Sequence, residues 1–164
     1  MSITSKLLSL MIMFTSLSCC AKNLSDKDID NAVKFKMWFD NGSVAPECQE
    51  SVTYTVTNDS ITCNIHRYNG SSNDGYAVSK QDMETFRKAL KACKISKRNK
   101  AHENLCCGGH QIGLTIYSQD EVTFSASAYC GGGEMGGKLV CNEMSLKACF
   151  GALLKASKDP LKDD

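Results

Sequence analysis

The sequence is poor in several features whose scarcity limits what the protein can be. Only two of its 164 residues are proline, aromatic residues make up 7%, and the formal net charge is +1. Because there is no excess of positive charge, the composition argues against a nucleic-acid partner. After an apolar run at the N-terminus, no second run is long enough to span a bilayer. These absences favour one compact domain.

Cysteine is the residue in excess, with ten in the chain. Such density indicates disulfides in an exported protein, or metal and redox chemistry in a cytosolic one. The N-terminus favours export, because the basic segment Met1–Lys6 precedes the apolar run Leu7–Leu17 and small residues follow at 18–21. This order is typical of a secretory signal.

The end of that signal, Leu17-Ser18-Cys19-Cys20, resembles a bacterial lipobox and predicts lipid attachment at Cys20. Acylation at Cys19 fits less well, since Ser16 would then stand where leucine is expected. Cleavage after Ala21 would instead give a fully secreted protein. Processing at Cys20 or after Ala21 leaves an even set of cysteines, which predicts disulfides among Cys48, Cys63, Cys93, Cys106, Cys107, Cys130, Cys141 and Cys149.

The chain divides into a signal peptide at 1–20, a polar tether at 21–31, a single domain at 32–157 and a disordered charged tail at 158–164. Alternating apolar and polar residues predict about five strands in the domain, at 33–39, 52–57, 61–66, 112–117 and 122–128. Three polar or glycine-rich segments are predicted to be loops, at 69–75, 94–104 and 132–138.

Two amphipathic helices follow the strands. Ser79 is the predicted cap of the first, whose apolar stripe is Met83, Phe86, Leu90 and Cys93. Asn142 is the predicted cap of the second, whose stripe is Leu146, Cys149, Phe150, Leu153 and Leu154. The order βββ-α-ββ-α predicts an α+β fold, a mainly antiparallel sheet with two helices on one face, stapled by disulfides.

The other face of this sheet is predicted to be polar and rich in threonine and serine. A large aromatic residue there, Trp38, makes it a candidate interaction face, together with His66 and Tyr117. The remaining members of the face are Lys34, Lys36, Thr53, Thr55, Thr62, Thr115, Ser125 and Ser127.

The hairpin formed by 112–117 and 122–128 predicts one disulfide pairing. Folding it about 118–121 brings its two ends together, so we expect Cys130 to bond to Cys106 or Cys107. The other member of that vicinal pair would then reach Cys93.

Several patterns could carry chemistry, and none is specific. Cys106, Cys107 and His110, with Cys130, could bind zinc, but vicinal cysteines lack the usual ligand spacing. A thiol paired with His66, His102 or His110 could be a nucleophile. The segment Gly132–Lys138 has phosphate-loop spacing but lacks the following hydroxyl residue. We therefore predict no catalytic residue, metal or cofactor, and the patterns favour a non-enzymatic role while leaving an enzyme as the alternative.

Three short motifs carry a family resemblance: Trp38–Ser43, Cys107-Gly108-Gly109 and Tyr129-Cys130-Gly131-Gly132. They resemble a group of small uncharacterised bacterial lipoproteins and secreted proteins, in which C-x-G-G and Y-x-C-G-G-type turns bracket a hairpin. The resemblance implies a cell-envelope location and an α+β fold, and it implies no activity. The doubled Cys106-Cys107 departs from the simpler pattern.

Together these patterns predict an exported protein of the cell envelope, anchored by lipid and facing the periplasm or the exterior. Its expected role is a binding module of the inhibitor, immunity or adaptor type, with another protein as its partner and no nucleic acid. One alternative is a secreted enzyme with an unrecognised site. The other is a eukaryotic secreted glycoprotein effector, because N-x-Ser sequons begin at Asn23, Asn41, Asn58 and Asn69.

Overall fold

The computed structural model describes residues 22–42, 44–102, 109–131 and 134–158, and within them the chain forms nine strands and three α-helices. The strands are β1 (Lys22–Asn23), β2 (Lys34–Asp40), β3 (Glu50–Thr57), β4 (Ser60–Arg67), β5 (Gly70–Ala77), β6 (Ser96–His102), β7 (His110–Ser118), β8 (Glu121–Gly131) and β9 (Glu134–Val140). The helices are α1 (Asp26–Asp30), α2 (Lys80–Ala92) and α3 (Glu143–Ser157), and a 3-10 turn covers Pro46–Cys48.

All nine strands join one antiparallel sheet, in the order β1-β6-β9-β8-β7-β2-β3-β4-β5. The predicted α+β class with a mainly antiparallel sheet is therefore confirmed. The five predicted strands correspond to β2, β3, β4, β7 and β8, which are neighbours at the centre of the sheet. The predicted number was too low, because four further strands extend the sheet at its two sides.

Alternation decides which side chains the central strands bury. Phe35 and Met37 of β2 and Leu114 of β7 are fully buried on one face, whereas the intervening Lys36 is exposed. The predicted hairpin of 112–117 and 122–128 forms as β7 and β8 with its turn at Gln119-Asp120, and the predicted strands 52–57 and 61–66 form a second hairpin, β3 and β4, with its turn at Asn58-Asp59. Gln119 adopts a left-handed φ of 55°, as a tight hairpin turn requires.

The two longer helices cover the buried face. Ser79 Oγ accepts a hydrogen bond from the Asp82 N–H at 3.1 Å, and Asn142 Oδ1 accepts one from the Ser145 N–H at 3.0 Å, so both predicted caps are present. The Phe86 ring of α2 meets Phe35 of the sheet at 5.3 Å and Phe150 of α3 at 5.0 Å, both edge-on. This aromatic contact joins the sheet and both helices.

The segment expected to be a tether contains α1. The Ser25 and Asp28 side chains form a capping box, and Ile29 is only 2% exposed in the core. Arg87 of α2 donates hydrogen bonds to the carbonyls of Ile29, Asp30 and Ala32. One apolar side chain and three backbone acceptors thus attach this segment to the domain.

The strands missed by the sequence analysis lie toward the sides of the sheet. β5 and β6 were predicted to be loops because they are rich in glycine, asparagine, serine or charge. β5 is an edge strand, and β6 has only the two-residue strand β1 on its outer side, so both pair through backbone hydrogen bonds while their side chains remain polar. Most of β9 was predicted to be a glycine loop. This strand lies between β6 and β8 in the sheet, and its Leu139 is fully buried.

Candidate functional site

The face of the sheet opposite the helices is the candidate site, and we call it the open face. The buried residues of all three helices belong to the core cluster on the other side of the sheet. None of the predicted open-face side chains is buried: Lys34, Lys36, Trp38, Thr53, Thr55, Thr62, His66, Thr115, Tyr117, Ser125 and Ser127.

Trp38 lies across the backbone of Gly113 on the neighbouring strand. A Cβ atom placed on Gly113 would stand 2.2 Å from Trp38 Nε1 and 2.3 Å from its Cε2. Only glycine at position 113 therefore allows the indole to lie this close to β7. Trp38 is half-buried, so its other side remains available on the open face. The pair creates an aromatic platform at the middle of the sheet.

A shallow depression of about 400 Å³ begins at this platform, and we call it the Trp38 groove. Its lining residues are Trp38, Lys97, Ala101, Thr115, Ser125, Ala126, Ser127, Tyr129, Gly137 and Lys138. The hydroxyls of Thr115 and Ser125 are 3.2 Å apart, and Tyr129 is 54% exposed. Among the lining residues that the structure describes there are two lysines and no carboxylate, so this part of the groove presents aromatic rings, hydroxyls and positive charge.

The other two predicted face residues lie outside this groove. The Tyr117 ring is on β7, with Lys34 Nζ 4.1 Å from its centroid. His66 lines a second cleft, of about 440 Å³, where its Nδ1 is 2.6 Å from Ser71 Oγ. The structure thus places the three predicted residues on one face but does not gather them into one site.

The sequence analysis did not assign Tyr129, Lys97 and Lys138 to the interaction face, although all three line the groove. Tyr129 carried a usable signal, because it continues the outward alternation of β8 beyond Ser125 and Ser127. Lys97 and Lys138 carried none, since they lie in strands β6 and β9, which were predicted to be loops. Their contribution to the groove depends on sheet order, which alternation alone does not specify.

The cysteines form a second arrangement of interest. Cys93 at the end of α2 and Cys149 in α3 place their Sγ atoms 3.5 Å apart. Burial raises the pKa of the Cys149 thiol to about 12, and burial also raises the pKa of Cys141 to about 12. Cys63 is buried, with its pKa raised by that burial, whereas Cys48 is exposed.

The expected disulfide staple is not confirmed. No disulfide joins the five cysteines whose side chains the structure describes, Cys48, Cys63, Cys93, Cys141 and Cys149. Cys19, Cys20, Cys106, Cys107 and the side chain of Cys130 lie outside the described residues. The predicted lipid attachment and the predicted bond at the open end of the hairpin therefore stay predictions.

His110 is held by a carboxylate. Its Nε2 lies 2.7 Å from Glu143 Oε2 at the start of α3, and its ring packs 5.3 Å from that of Phe39. Lys147 contacts both Glu143 Oε1, at 2.6 Å, and the Phe39 ring. Among the described side chains, no three His, Cys, Asp or Glu residues are grouped to hold a metal ion. Of the cysteines considered as partners of His110, Cys106 and Cys107 and the side chain of Cys130 lie outside the described part of the chain.

Two of the four sequon asparagines have structural contacts. Asn41 Nδ2 donates to the Cys48 carbonyl at 2.6 Å, and its Oδ1 accepts from the Glu50 N–H at 3.0 Å. Asn58 Oδ1 accepts from Arg87 at 3.0 Å, whereas Asn23 and Asn69 have exposed side chains.

Comparison with known proteins does not assign the chain. No protein family, no curated protein and no solved structure matches it. Among the described residues, no helix combines the length and the apolar character needed to cross a membrane.

Proposed function

We propose that this protein is a recognition module of the cell envelope that binds an acidic protein partner through its open face. The observation that carries the proposal is the Trp38 platform, which lies over Gly113 at the centre of a face that no described helix covers. Tryptophan is strongly enriched among the residues that contribute most to protein–protein affinity.

Two further properties of the face suit recognition. The platform lies on β2 and β7, which have hydrogen-bonded neighbours on both sides, so little backbone freedom is lost when a partner binds. Lys97 and Lys138 line the groove, and no carboxylate is among its described lining residues, which favours a partner with acidic side chains. Hydroxyls of Thr115 and Ser125 supply hydrogen bonds beside the ring.

The proposal is tested by capture from an envelope extract with the full mature chain as bait. We expect one protein to be retained by the wild type, lost with Trp38→Ala and weakened by Lys138→Glu. The matched control is Tyr68→Ala, because Tyr68 is 71% exposed and does not line the Trp38 groove. Retention should also fall as salt is raised, since charge attraction is screened.

Three outcomes would overturn the proposal. The first is a partner retained equally by the wild type and Trp38→Ala, and the second is a partner lost with Tyr68→Ala as well. The third is a retained partner without an acidic surface, which would contradict the charge argument. Circular dichroism of each variant separates loss of binding from loss of folding.

Lipid anchoring at Cys20 is part of the same proposal and is supported by the sequence Leu17-Ser18-Cys19-Cys20. A bacterial lipoprotein carries more than one acyl chain, which holds a small domain stably at a membrane. Cys20→Ala should move the protein from the membrane fraction to the soluble fraction. Unchanged partitioning of this variant would contradict the anchoring.

We also propose a disulfide between Cys130 and either Cys106 or Cys107, which closes the open end of the β7–β8 hairpin. It is supported by the hairpin register, in which His110 stands opposite Cys130 and the vicinal cysteines precede His110 by only a few residues. A peptide map should join Cys130 to one of the two. A bond from Cys130 to Cys48 or Cys63 would contradict this pairing.

A further inference from the structure

Two thiols from different helices meet beside the core. Cys93 follows the last turn of α2 and is 8% exposed, and Cys149 lies in the second turn of α3. Their Sγ atoms are 3.5 Å apart. A disulfide bond is about 2.05 Å long, so the two sulfurs need to approach by only about 1.5 Å. We infer that Cys93 and Cys149 form a disulfide that links α2 to α3.

The packing around the two cysteines keeps them in place. The Phe86 ring of α2 and the Phe150 ring of α3 meet edge-on at 5.0 Å, and Phe150 is adjacent to Cys149 in sequence. Both rings are almost completely buried, which fixes the separation of the helices close to the two thiols. The bond therefore joins elements that packing already holds together.

This pairing replaces the sequence-based partner of Cys93, which was Cys106 or Cys107. Cys93 is also among the groups that raise the pKa of Cys141, after burial, so these two thiols are near one another as well. The described sulfur–sulfur contact of Cys93, however, is with Cys149. The structure thus favours Cys149 over Cys141 as the partner.

The oxidation needs an acceptor for two electrons, which a second disulfide supplies. Cys149 lines a groove of about 240 Å³ between α2 and α3, so it is the sulfur that an external disulfide reaches. Its thiolate attacks that disulfide, forms a mixed disulfide and releases one thiolate. The Cys93 thiolate then attacks Cys149 Sγ, forms the internal bond and releases the second thiolate. The protein loses two protons and two electrons, and the external disulfide becomes two thiols.

Burial determines when this reaction is fast. Because burial raises the pKa of Cys149 to about 12, very little thiolate is present in the folded, reduced protein at neutral pH. Oxidation should therefore be fastest while the helices are still assembling. In the folded, reduced protein, alkylation of Cys149 should accelerate about tenfold per pH unit between pH 7 and 11, because the thiolate fraction rises in that proportion.

Peptide mapping tests the pairing directly. The full mature chain is refolded in a mixture of oxidised and reduced glutathione, alkylated and digested with trypsin without reduction. We expect residues 92–94 and 148–155 to be released as one cross-linked species, both from the wild type and from the Cys106→Ser/Cys107→Ser double variant. Cys93 found alkylated, or bonded to Cys106, Cys107 or Cys141, would overturn the inference.

Thermal unfolding gives a second readout. Reduction of the Cys106→Ser/Cys107→Ser double variant, which lacks the bond proposed for Cys130, should lower the Tm by roughly 10 °C, because the Cys93–Cys149 bond closes a loop of more than fifty residues in the unfolded chain. In oxidised samples Cys93→Ser, Cys149→Ser and the Cys93→Ser/Cys149→Ser double variant should lose similar amounts, since each removes the same bond. If the Tm losses of the two single variants add up in their double variant, the bond is contradicted. In the peptide map, Cys141→Ser should leave the cross-linked species intact. These measurements involve no partner, so their failure leaves the binding proposal untouched.

Discussion

The centre and the edges of the sheet are built from different kinds of sequence. The central strands β2 and β7 each contribute fully buried residues, among them Phe35 and Leu114, beneath the helices. None of the described side chains is buried in β5, at one edge, or in β6, which only the two-residue β1 separates from the other edge. Both kinds of strand pair through the same backbone hydrogen bonds. What differs is the apolar surface removed from water, so the centre provides most of the hydrophobic stabilisation.

The centre and the sides of the sheet also contribute different groups to the proposed binding surface. The outer strands β6 and β9 extend the sheet and bring Lys97 and Lys138 to the Trp38 groove, while the centre holds Trp38 against Gly113. A ring fixed on central strands keeps its position when a partner arrives. The positive charges, by contrast, come from strands β6 and β9 on one side of the sheet. Affinity and charge selectivity should therefore respond to substitutions in different strands.

The largest expected effect comes from the centre. Leu114→Ala removes a fully buried side chain and should lower the free energy of unfolding by about 2–5 kcal/mol, because a cavity remains. Ser72→Ala, at an exposed position of β5, should change it by no more than about 0.5 kcal/mol. Urea unfolding measures both. Equal losses would remove the distinction between centre and edge.

A smaller loss of unfolding free energy is expected from Arg87→Ala. This variant tests whether the segment before β2 is packed on the domain as firmly as the central strands are. Arg87 donates to three carbonyls of residues 29–32 and to Asn58 Oδ1. Its removal should cost about 1–3 kcal/mol and should expose 24–31 to proteolysis. The neighbouring Lys88→Ala is the control, because Lys88 is exposed. If both variants unfold alike and resist protease alike, residues 24–31 are a tether as the sequence predicted.

The last comparison uses one glycine from the centre of the sheet and one from its edge, and the stability change expected at Gly113 is smaller than those at Leu114 and Arg87. Gly113→Ala should displace the Trp38 ring and cost about 1 kcal/mol, since the ring can swing outward. Trp38 is the only tryptophan, so its emission should shift to the red. Gly75→Ala on β5 is the control, because its added Cβ would be 3.6 Å from the nearest atom, Thr62 Cγ2. A red shift of the same size in the control would show that Trp38 emission does not report this contact.

Sequence patterns predicted the centre of the fold and missed its sides, for a physical reason. Alternation marks strands that bury one face, as Ile112, Leu114 and Ile116 do, and it is absent from strands that bury nothing. β5 has a composition typical of loops, yet it pairs with β4 along all eight of its residues. β5 pairs through its backbone N–H and C=O groups, and because loop sequences have the same groups, its composition does not distinguish it from a loop.

The candidate site was predicted in part for the same reason. Trp38 was recognisable because it is a large aromatic residue on the polar side of an alternating strand. Its contact with Gly113 was not, since the register of β2 against β7 joins segments more than seventy residues apart. Long-range strand pairing likewise brings Lys138 to the groove, and long-range helix packing brings Cys93 to Cys149. Local sequence patterns carry no information on such pairings.

The fluorescence of Trp38 tests the central claim most directly, because the chain has no other tryptophan. The captured acidic partner, or a fragment of it without tryptophan, is titrated into the full mature chain while emission and acrylamide quenching are followed. If the open face is the recognition surface, emission shifts to the blue and quenching falls in proportion to the complex formed. Binding that leaves both the emission and the quenching unchanged would contradict the account.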